Sequence, residues 1–121
     1  MNHTIHESEV EAKQLPGRNH KMIIGPNGFG KARNMCFGIA VFPANKHAPA
    51  HVHLNEEEII YILEGEGEIY FDGAPEPVKP GACIYIPPKV EHSINNKCDV
   101  PMKLAYVFSP PVVQGSYDKS K

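Results

Sequence analysis

The sequence predicts an all-β protein made of many short strands. Three observations carry this reading. Twelve of the 121 residues are proline and ten are glycine, a density that interrupts helices and suits strands joined by tight turns. Runs rich in β-forming residues recur along the chain and stop at Gly, Pro, Asn or Asp. No window of a dozen residues free of Gly and Pro keeps a 3.6-residue apolar period. At this length one domain fits and two do not, which leaves a small barrel or a two-sheet sandwich.

Residues 1–21 are polar and without a clear period, an arm with one strand entering at 21–24. The best helical stretch, 7–15, is short and offers only Val10 and Leu15 as large apolar groups. The segment 25–30 (GPNGFG) is a flexible glycine-rich turn; it is neither a Walker loop nor a dinucleotide fingerprint between strand and helix. Strand-like runs follow at 33–42, ending at Pro43, and at 51–53, which is short and polar. Next come 57–63, ending at Glu64-Gly65, and 68–71, ending at Asp72-Gly73, a hairpin signal. The last runs are 82–86 before Pro87-Pro88, 92–95 before Asn96, and 103–108 before Ser109-Pro110-Pro111. Residues 1–30 are thus read as an arm with its incoming strand, 31–112 as the barrel, and 113–121 as a polar tail.

The strand around 58–63 says more. Glu58, Ile60 and Ile62 share one face; Ile59, Tyr61 and Leu63 share the other. Both faces are apolar, unlike a strand with one face in water. One should line an interior. The other should be covered by a second sheet, the N-terminal arm or a second subunit, and a homodimer is expected.

His51-Val52-His53 places two imidazoles at i and i+2, on one face of a strand. Glu58 follows after a gap long enough for a tight turn, and His92 lies in another short strand. Three imidazoles and a carboxylate suit one divalent transition metal with positions left open for water or substrate. Fe, Mn, Ni, Zn and Cu all accept such ligands.

Two spaced motifs carry a resemblance to the cupin superfamily. Its first motif is written G-x5-H-x-H-x3,4-E-x6-G; here N-KHAPA-H-V-H-LNEE-E-IIYILE-G runs from Asn45 to Gly65. Asn45 stands where glycine is usual, and Asn tolerates the left-handed conformation better than most residues. The second motif is written G-x5-P-x-G-x2-H-x3-N; here G-ACIYI-P-P-K-VE-H-SIN-N runs from Gly81 to Asn96, with Lys89 in place of the middle glycine. The ending FSPP at 108–111 also resembles small single-domain cupins. The resemblance covers about residues 33–111. It implies a jelly-roll barrel, the double-stranded β-helix, with a metal in the lumen held by His51, His53, Glu58 and His92. Glu58 and His92 are its candidate catalytic residues.

Other residues are weighed beside these. Glu56 falls in the turn and Glu57 should face away; a one-residue slip of the turn would make Glu57 the ligand, but only Glu58 keeps the six-residue distance to Gly65. Ile60, Ile62 and Ile94 share parity with ligands and would form an apolar wall. Arg33 and Lys31 precede a strand, where either could meet a substrate carboxylate, although solvated cations are the plainer reading. His3, His6 and His47 read as exposed, with His47 near enough to the first motif to reach the barrel mouth. His20 has no partner in the sequence. Tyr85, Tyr106, Met35 and Phe37 read as core or interface.

Lys plus Arg is 12 and Asp plus Glu is 14, a formal charge of −2, so no electrostatic drive toward nucleic acid or anionic membrane is expected. No apolar stretch approaches the roughly 20 residues that span a bilayer, and the first residues show no basic-then-apolar pattern. Cys36, Cys83 and Cys98 are odd in number without a C-x-x-C, which points to reduced thiols in a cytoplasmic protein, each a small core hydrophobe. The resemblance implies a metal-dependent enzyme acting on a small acidic or hydroxylated metabolite, of dioxygenase, isomerase, lyase or cyclase type. The alternative is a non-catalytic module that binds or senses a small molecule or metal.

Overall fold

The computed structural model describes residues 2–113. Nine strands follow one another: β1 (Lys13–Leu15), β2 (Arg18–Ile24), β3 (Cys36–Phe42), β4 (Glu57–Glu64), β5 (Gly67–Phe71), β6 (Ala74–Val78), β7 (Cys83–Ile86), β8 (His92–Asn95) and β9 (Met102–Ser109). They form a six-stranded sheet in the order β1-β2-β3-β9-β4-β7 and a three-stranded sheet in the order β6-β5-β8. Phe42, Ile60, Ile62, Ile69, Met102 and Leu104, contributed by both sheets, are almost completely buried in one core. Each such side chain stabilises the fold by roughly 1.5–3 kcal/mol relative to exposure. The architecture is the expected cupin jelly-roll barrel.

Register sets which side chains point inward. Cys36 pairs with Phe108, Phe108 with Glu58, and Glu58 with Ile86, so Glu58 occupies an inward row across four strands. On β4 the expected alternation holds: Glu58, Ile60 and Ile62 are buried, while Glu57, Ile59, Tyr61 and Leu63 are exposed.

The N-terminal stretch contains more structure than the sequence reading gave it. A three-residue 3₁₀ turn at Glu7–Glu9 replaces the weak helical candidate, capped by the His6 ring, which accepts from the Ser8 amide at 3.1 Å. β1 and β2 then form a hairpin on the large sheet, and β2 starts at Arg18 rather than at residue 21. The alternation of β2 was hidden because its inward positions, Arg18 and His20, are polar. The turn at Glu7 is tied to the outer face of the sheet by Lys103, whose Nζ lies 2.9 Å from the Glu7 carboxylate.

Three other expectations change. β3 starts at Cys36, not at residue 33. The segment 51–53 is not a regular strand; His51 makes one isolated bridge to His92, and Pro49, which has no N–H, interrupts the ladder before it. The sequence APEPV, unexpected as a strand, forms β6 at the sheet edge, where proline is tolerated. The Asp72-Gly73 signal is fulfilled as a two-residue β5–β6 hairpin, with φ of 50° and 86° as a primed turn requires. Of the cysteines, Cys36 is buried as expected, Cys98 half-buried, and Cys83 exposed on the edge strand β7.

Candidate metal centre

The H-x-H segment is held as a partial strand along β8. The Ala48 amide donates to the Ile94 carbonyl at 3.1 Å. His51 and His92 exchange both backbone hydrogen bonds, at 2.9 and 3.0 Å. That pairing places their rings on the same side, with centroids 4.4 Å apart. The His53 ring lies 4.9 Å from that of His51 and 5.3 Å from that of His92, and packs edge-on against Phe108 at 4.6 Å. One ring nitrogen from each of His51, His53 and His92 lies within 4.8 Å of the others, so the three imidazoles could hold a metal ion. All three rings are buried, as is Glu58.

The turns around the motifs fix this geometry. Asn45 and Lys89, which replace glycines of the family pattern, both adopt left-handed backbone, with φ of 59° and 72°. The Lys89 amide donates to the His53 carbonyl at 2.7 Å, pinning the second histidine of the motif. A non-glycine residue in this region costs about 1–2 kcal/mol, partly offset in glycine by greater chain entropy. Lys89→Gly is therefore expected to stabilise the protein by about 0.5–1 kcal/mol in urea unfolding; an unchanged or lower midpoint would contradict this. Asn96 is fully buried, and its amide donates to the carbonyls of Phe42, Pro43 and Val100 at 3.1, 3.1 and 2.8 Å. It anchors the end of β8 to the end of β3.

Hydrogen bonding sets the tautomers. Nδ1 of His51 lies 3.0 Å from the Pro49 carbonyl, and Nδ1 of His92 lies 3.0 Å from the Val90 carbonyl. A carbonyl only accepts, so each Nδ1 carries the proton and each Nε2 presents a lone pair inward. Nε2 of His92 faces Oε1 of Glu58 at 3.3 Å. Both atoms are buried and neither has a hydrogen-bond partner among the described residues. Two lone pairs so close need a positive charge between them, either a proton or a metal cation. Oε1 of Glu58 also lies 3.9 Å from Nε2 of His53.

Burial controls the proton affinities. It pushes the Glu58 carboxyl above the usual carboxylate range, against the pull of His92 and Arg18. Burial, then the charge of His92, lowers His51 to about 3 and His53 to about 4. His20 falls to about 4 through burial, then through the charges of Arg18 and Lys13. These three rings stay neutral in the folded chain where the unfolded chain would protonate them. Between the ordinary value of 6.5 and about 4 the unfolded state binds more protons, so stability falls as pH falls through that window. Each ring contributes up to about 1.4 kcal/mol per pH unit. Glu58 acts oppositely, because its folded form holds a proton above the ordinary value of 4.5. The metal-free protein should therefore show unfolding free energy falling by about 2–4 kcal/mol per unit below pH 6.5. A flat profile from pH 7 to 5 would contradict these protonation states.

Inside the barrel lies a cavity of about 30 Å³, walled in part by His51, Glu58, His92, Ile94 and Phe108. Of the expected apolar wall, Ile94 faces this space, whereas Ile60 and Ile62 are buried in the packed core. Arg33 and Lys31 are exposed and do not line it. His47 is an exposed residue bridged to Asn95. The lumen instead contains three groups that the sequence reading did not place there: Arg18, His20 and Tyr106. The Tyr106 hydroxyl bonds to Nε2 of His20, the rings stack at 5.1 Å, and Gly38 gives the hydroxyl its space. The Pro16-Gly17 turn directly before Arg18 is the signal that could have located the start of β2.

Known proteins share the family pattern and the fold. The family model described as "Cupin domain" matches residues 38–108. An uncharacterized protein of Methanocaldococcus jannaschii is 43% identical over 72 residues, 60% of this chain and 58% of that protein. An L-ectoine synthase of Aliivibrio fischeri is 33% identical over 84 residues, 68% of this chain and 66% of the enzyme. The chain thus aligns with somewhat less than two thirds of the length of each of these two relatives. The polyketide cyclase RemF from Streptomyces resistomycificus superposes with a TM-score of 0.75 at 25% identity, covering 98% of this chain and 92% of that one. With a matching family model over most of the barrel and three inward histidines in the two motifs, the chain belongs to the cupin domain family.

Proposed function

We propose that His51, His53, Glu58 and His92 bind one divalent transition metal, and that the centre catalyses a reaction of a small acidic or hydroxylated metabolite. The observation that carries this is the buried pair of facing acceptors, Glu58 Oε1 and His92 Nε2, beside two further neutral imidazoles. Such a donor set matches a borderline metal such as Fe, Mn, Ni, Zn or Cu. When bound, the ion supplies Lewis acidity or a redox centre, with positions left for a chelating substrate. The protein's part is to fix the Nε2 lone pairs through Pro49 and Val90 and to exclude bulk water with Ile94 and Phe108. A bound cation would favour the ionised form of Glu58. L-ectoine synthase and the polyketide cyclase show that relatives of this chain include enzymes on small molecules, which supports a cyclase or lyase type among the reactions open to it. Elemental analysis of the full chain tests the centre: one equivalent of transition metal is expected, and none after growth in rich medium and metal reconstitution overturns it. A screen of small acids, sugars and enols with each metal tests the reaction. No metal-dependent turnover would favour the binding module instead.

The second part of the proposal is a homodimer. On the outer face of β4 and β7, Ile59, Tyr61, Leu63 and Tyr85 are between 40% and 57% exposed. Register aligns Ile59 with Val107 and Tyr85, and Val107 with Phe37, giving one contiguous apolar patch of the kind that monomers seldom display. Sedimentation at tens of micromolar should give twice the chain mass of 13.4 kDa, and a mass near 13 kDa would refute the dimer.

A further inference from the structure

We propose that the cavity between the glycine-rich loop 25–30 and the segment 111–113 holds the body of the centre's ligand, a small molecule built on a planar ring, with the Met22 side chain between that ring and the lumen. This rests on the metal-centre reading above and narrows its substrate class to ring-bearing hydroxy acids.

Size and position select this cavity. The lumen cavity of about 30 Å³ has room for about two water-sized groups, so the carbon skeleton of a metabolite needs further space. A second cavity, of about 360 Å³, falls in the range of small-molecule pockets. It lies at the end of the barrel that carries Glu58. Gly25 follows β2 and Val112 follows β9, and both line it. A Cβ on Gly25 would lie 3.1 Å from Cβ of Cys36, and the backbone of Val112 meets the Cys36 thiol. Cys36 therefore backs this cavity. It pairs with Phe108, which pairs with Glu58 and packs against the His53 ring. Met22 makes a second link. It lines the cavity, packs against the core, and places Sδ 3.5 Å from the Tyr106 hydroxyl. Tyr106 in turn lines the lumen cavity with His51, Glu58 and His92.

The walls fit a flat apolar body. Gly25 and Gly28 present bare backbone, and Pro26 and Pro111 present rigid rings. The loop is pressed close to β2: a Cβ on Gly28 would meet the Ile23 carbonyl oxygen at 2.7 Å. The glycine wall is thus already formed. Met22 and Val112 complete an apolar lining, and a thioether sulfur makes favourable contacts with aromatic rings. Met22 is unbranched and adopts new rotamers readily, which suits a side chain that must yield to a ligand reaching from this cavity toward the lumen. Among the described residues lining the cavity none is acidic, and Lys13 is cationic, a lining compatible with an acid. A ring in this cavity with its hydroxyl and carboxylate directed past Met22 would bring chelating oxygens to the centre.

The test uses three probes on the full-length protein: salicylate, a ring with adjacent hydroxyl and carboxylate; phenol, the ring without the carboxylate; and glycolate, the chelating pair without the ring. Methyl-labelled methionine reports where the ring sits. Met22→Leu identifies the Met22 resonance, and Met35 and Met102, which do not line the cavity, serve as references. In the metal-stripped chain, phenol and salicylate should shift the Met22 methyl saturably and glycolate should not. Zinc loading should tighten salicylate about tenfold and leave phenol unchanged. Asn27→Trp fills the cavity from an exposed loop position. It should weaken both ring probes about tenfold, with zinc content, Tm and glycolate affinity of the zinc form unchanged. A Met22 methyl that does not respond, or a response that survives Asn27→Trp, overturns the proposal. So does zinc that tightens glycolate but not salicylate, the mark of a ring site separate from the centre. If Asn27→Trp does not fold, Lys13→Trp fills the cavity from β1 and is judged by the same outcomes. A wild type that takes up no divalent transition metal refutes the centre alone; the ring site then stands or falls on the Met22 shift and its loss in Asn27→Trp.

Discussion

Replacing His92 by alanine is expected to lower metal affinity by at least about 100-fold while leaving the barrel folded. The magnitude follows from the binding free energy of structural zinc sites, about 10–16 kcal/mol over four ligands, so that one ligand accounts for about 2.5–4 kcal/mol. Folding survives because the link between the H-x-H segment and β8 is made by the backbones of His51 and His92, which alanine retains. Metal loss should thus come without a comparable fall in apo stability, a combination that a merely structural histidine would not give. His47→Ala is the control: its ring is exposed, and its affinity should equal that of wild type. Competition against a chelating indicator measures both variants. If His51→Ala/His92→Ala still retains one equivalent of metal after dialysis against a mild chelator, the assignment of ligands is wrong.

The residues of the two motifs were legible because local rules fix them. An i, i+2 pair of histidines shares a face whether or not the segment is a regular strand, so losing the strand at 51–53 to Pro49 did not separate the rings. The alternation on β4 distinguished Glu58 from Glu57, and the register places Glu58 between Phe108 and Ile86 on the inner face. Arg18, His20 and Tyr106 were not legible in the same way. Their place in the lumen depends on pairing between distant segments, His20 opposite Ala40 and Tyr106 opposite Gly38. A polar inward face also erases the apolar alternation by which a strand is recognised. Edge strand β6 escaped for the opposite reason: its two prolines argue against a strand everywhere except at an edge, and edge position is a property of the whole sheet.

Glu58→Gln separates the chemistry of the centre from its stability. In the metal-free protein the Gln amide can donate a hydrogen bond to the Nε2 lone pair of His92, which a carboxylate supplies only when protonated. The apo variant should therefore unfold at the wild-type Tm or above it, and should lose the part of its pH dependence that Glu58 contributes. Toward a metal the change runs the other way. The amide offers a weaker donor and no charge, so affinity should fall by about 10–100-fold, and the centre's net charge should rise from +1 to +2 with neutral imidazoles. Metal-induced stabilisation grows with the logarithm of affinity, so the rise in Tm on adding metal should shrink by the equivalent of about 1.4–3 kcal/mol. A more positive centre draws electrons from a bound substrate more strongly and holds anionic product more tightly. Turnover of any substrate found by the screen should consequently change more than apo stability does. Melting curves with and without metal, and activity measured at full metal occupancy, make the comparison. A variant that binds metal as tightly as wild type and turns over at the wild-type rate would leave Glu58 no role at the centre.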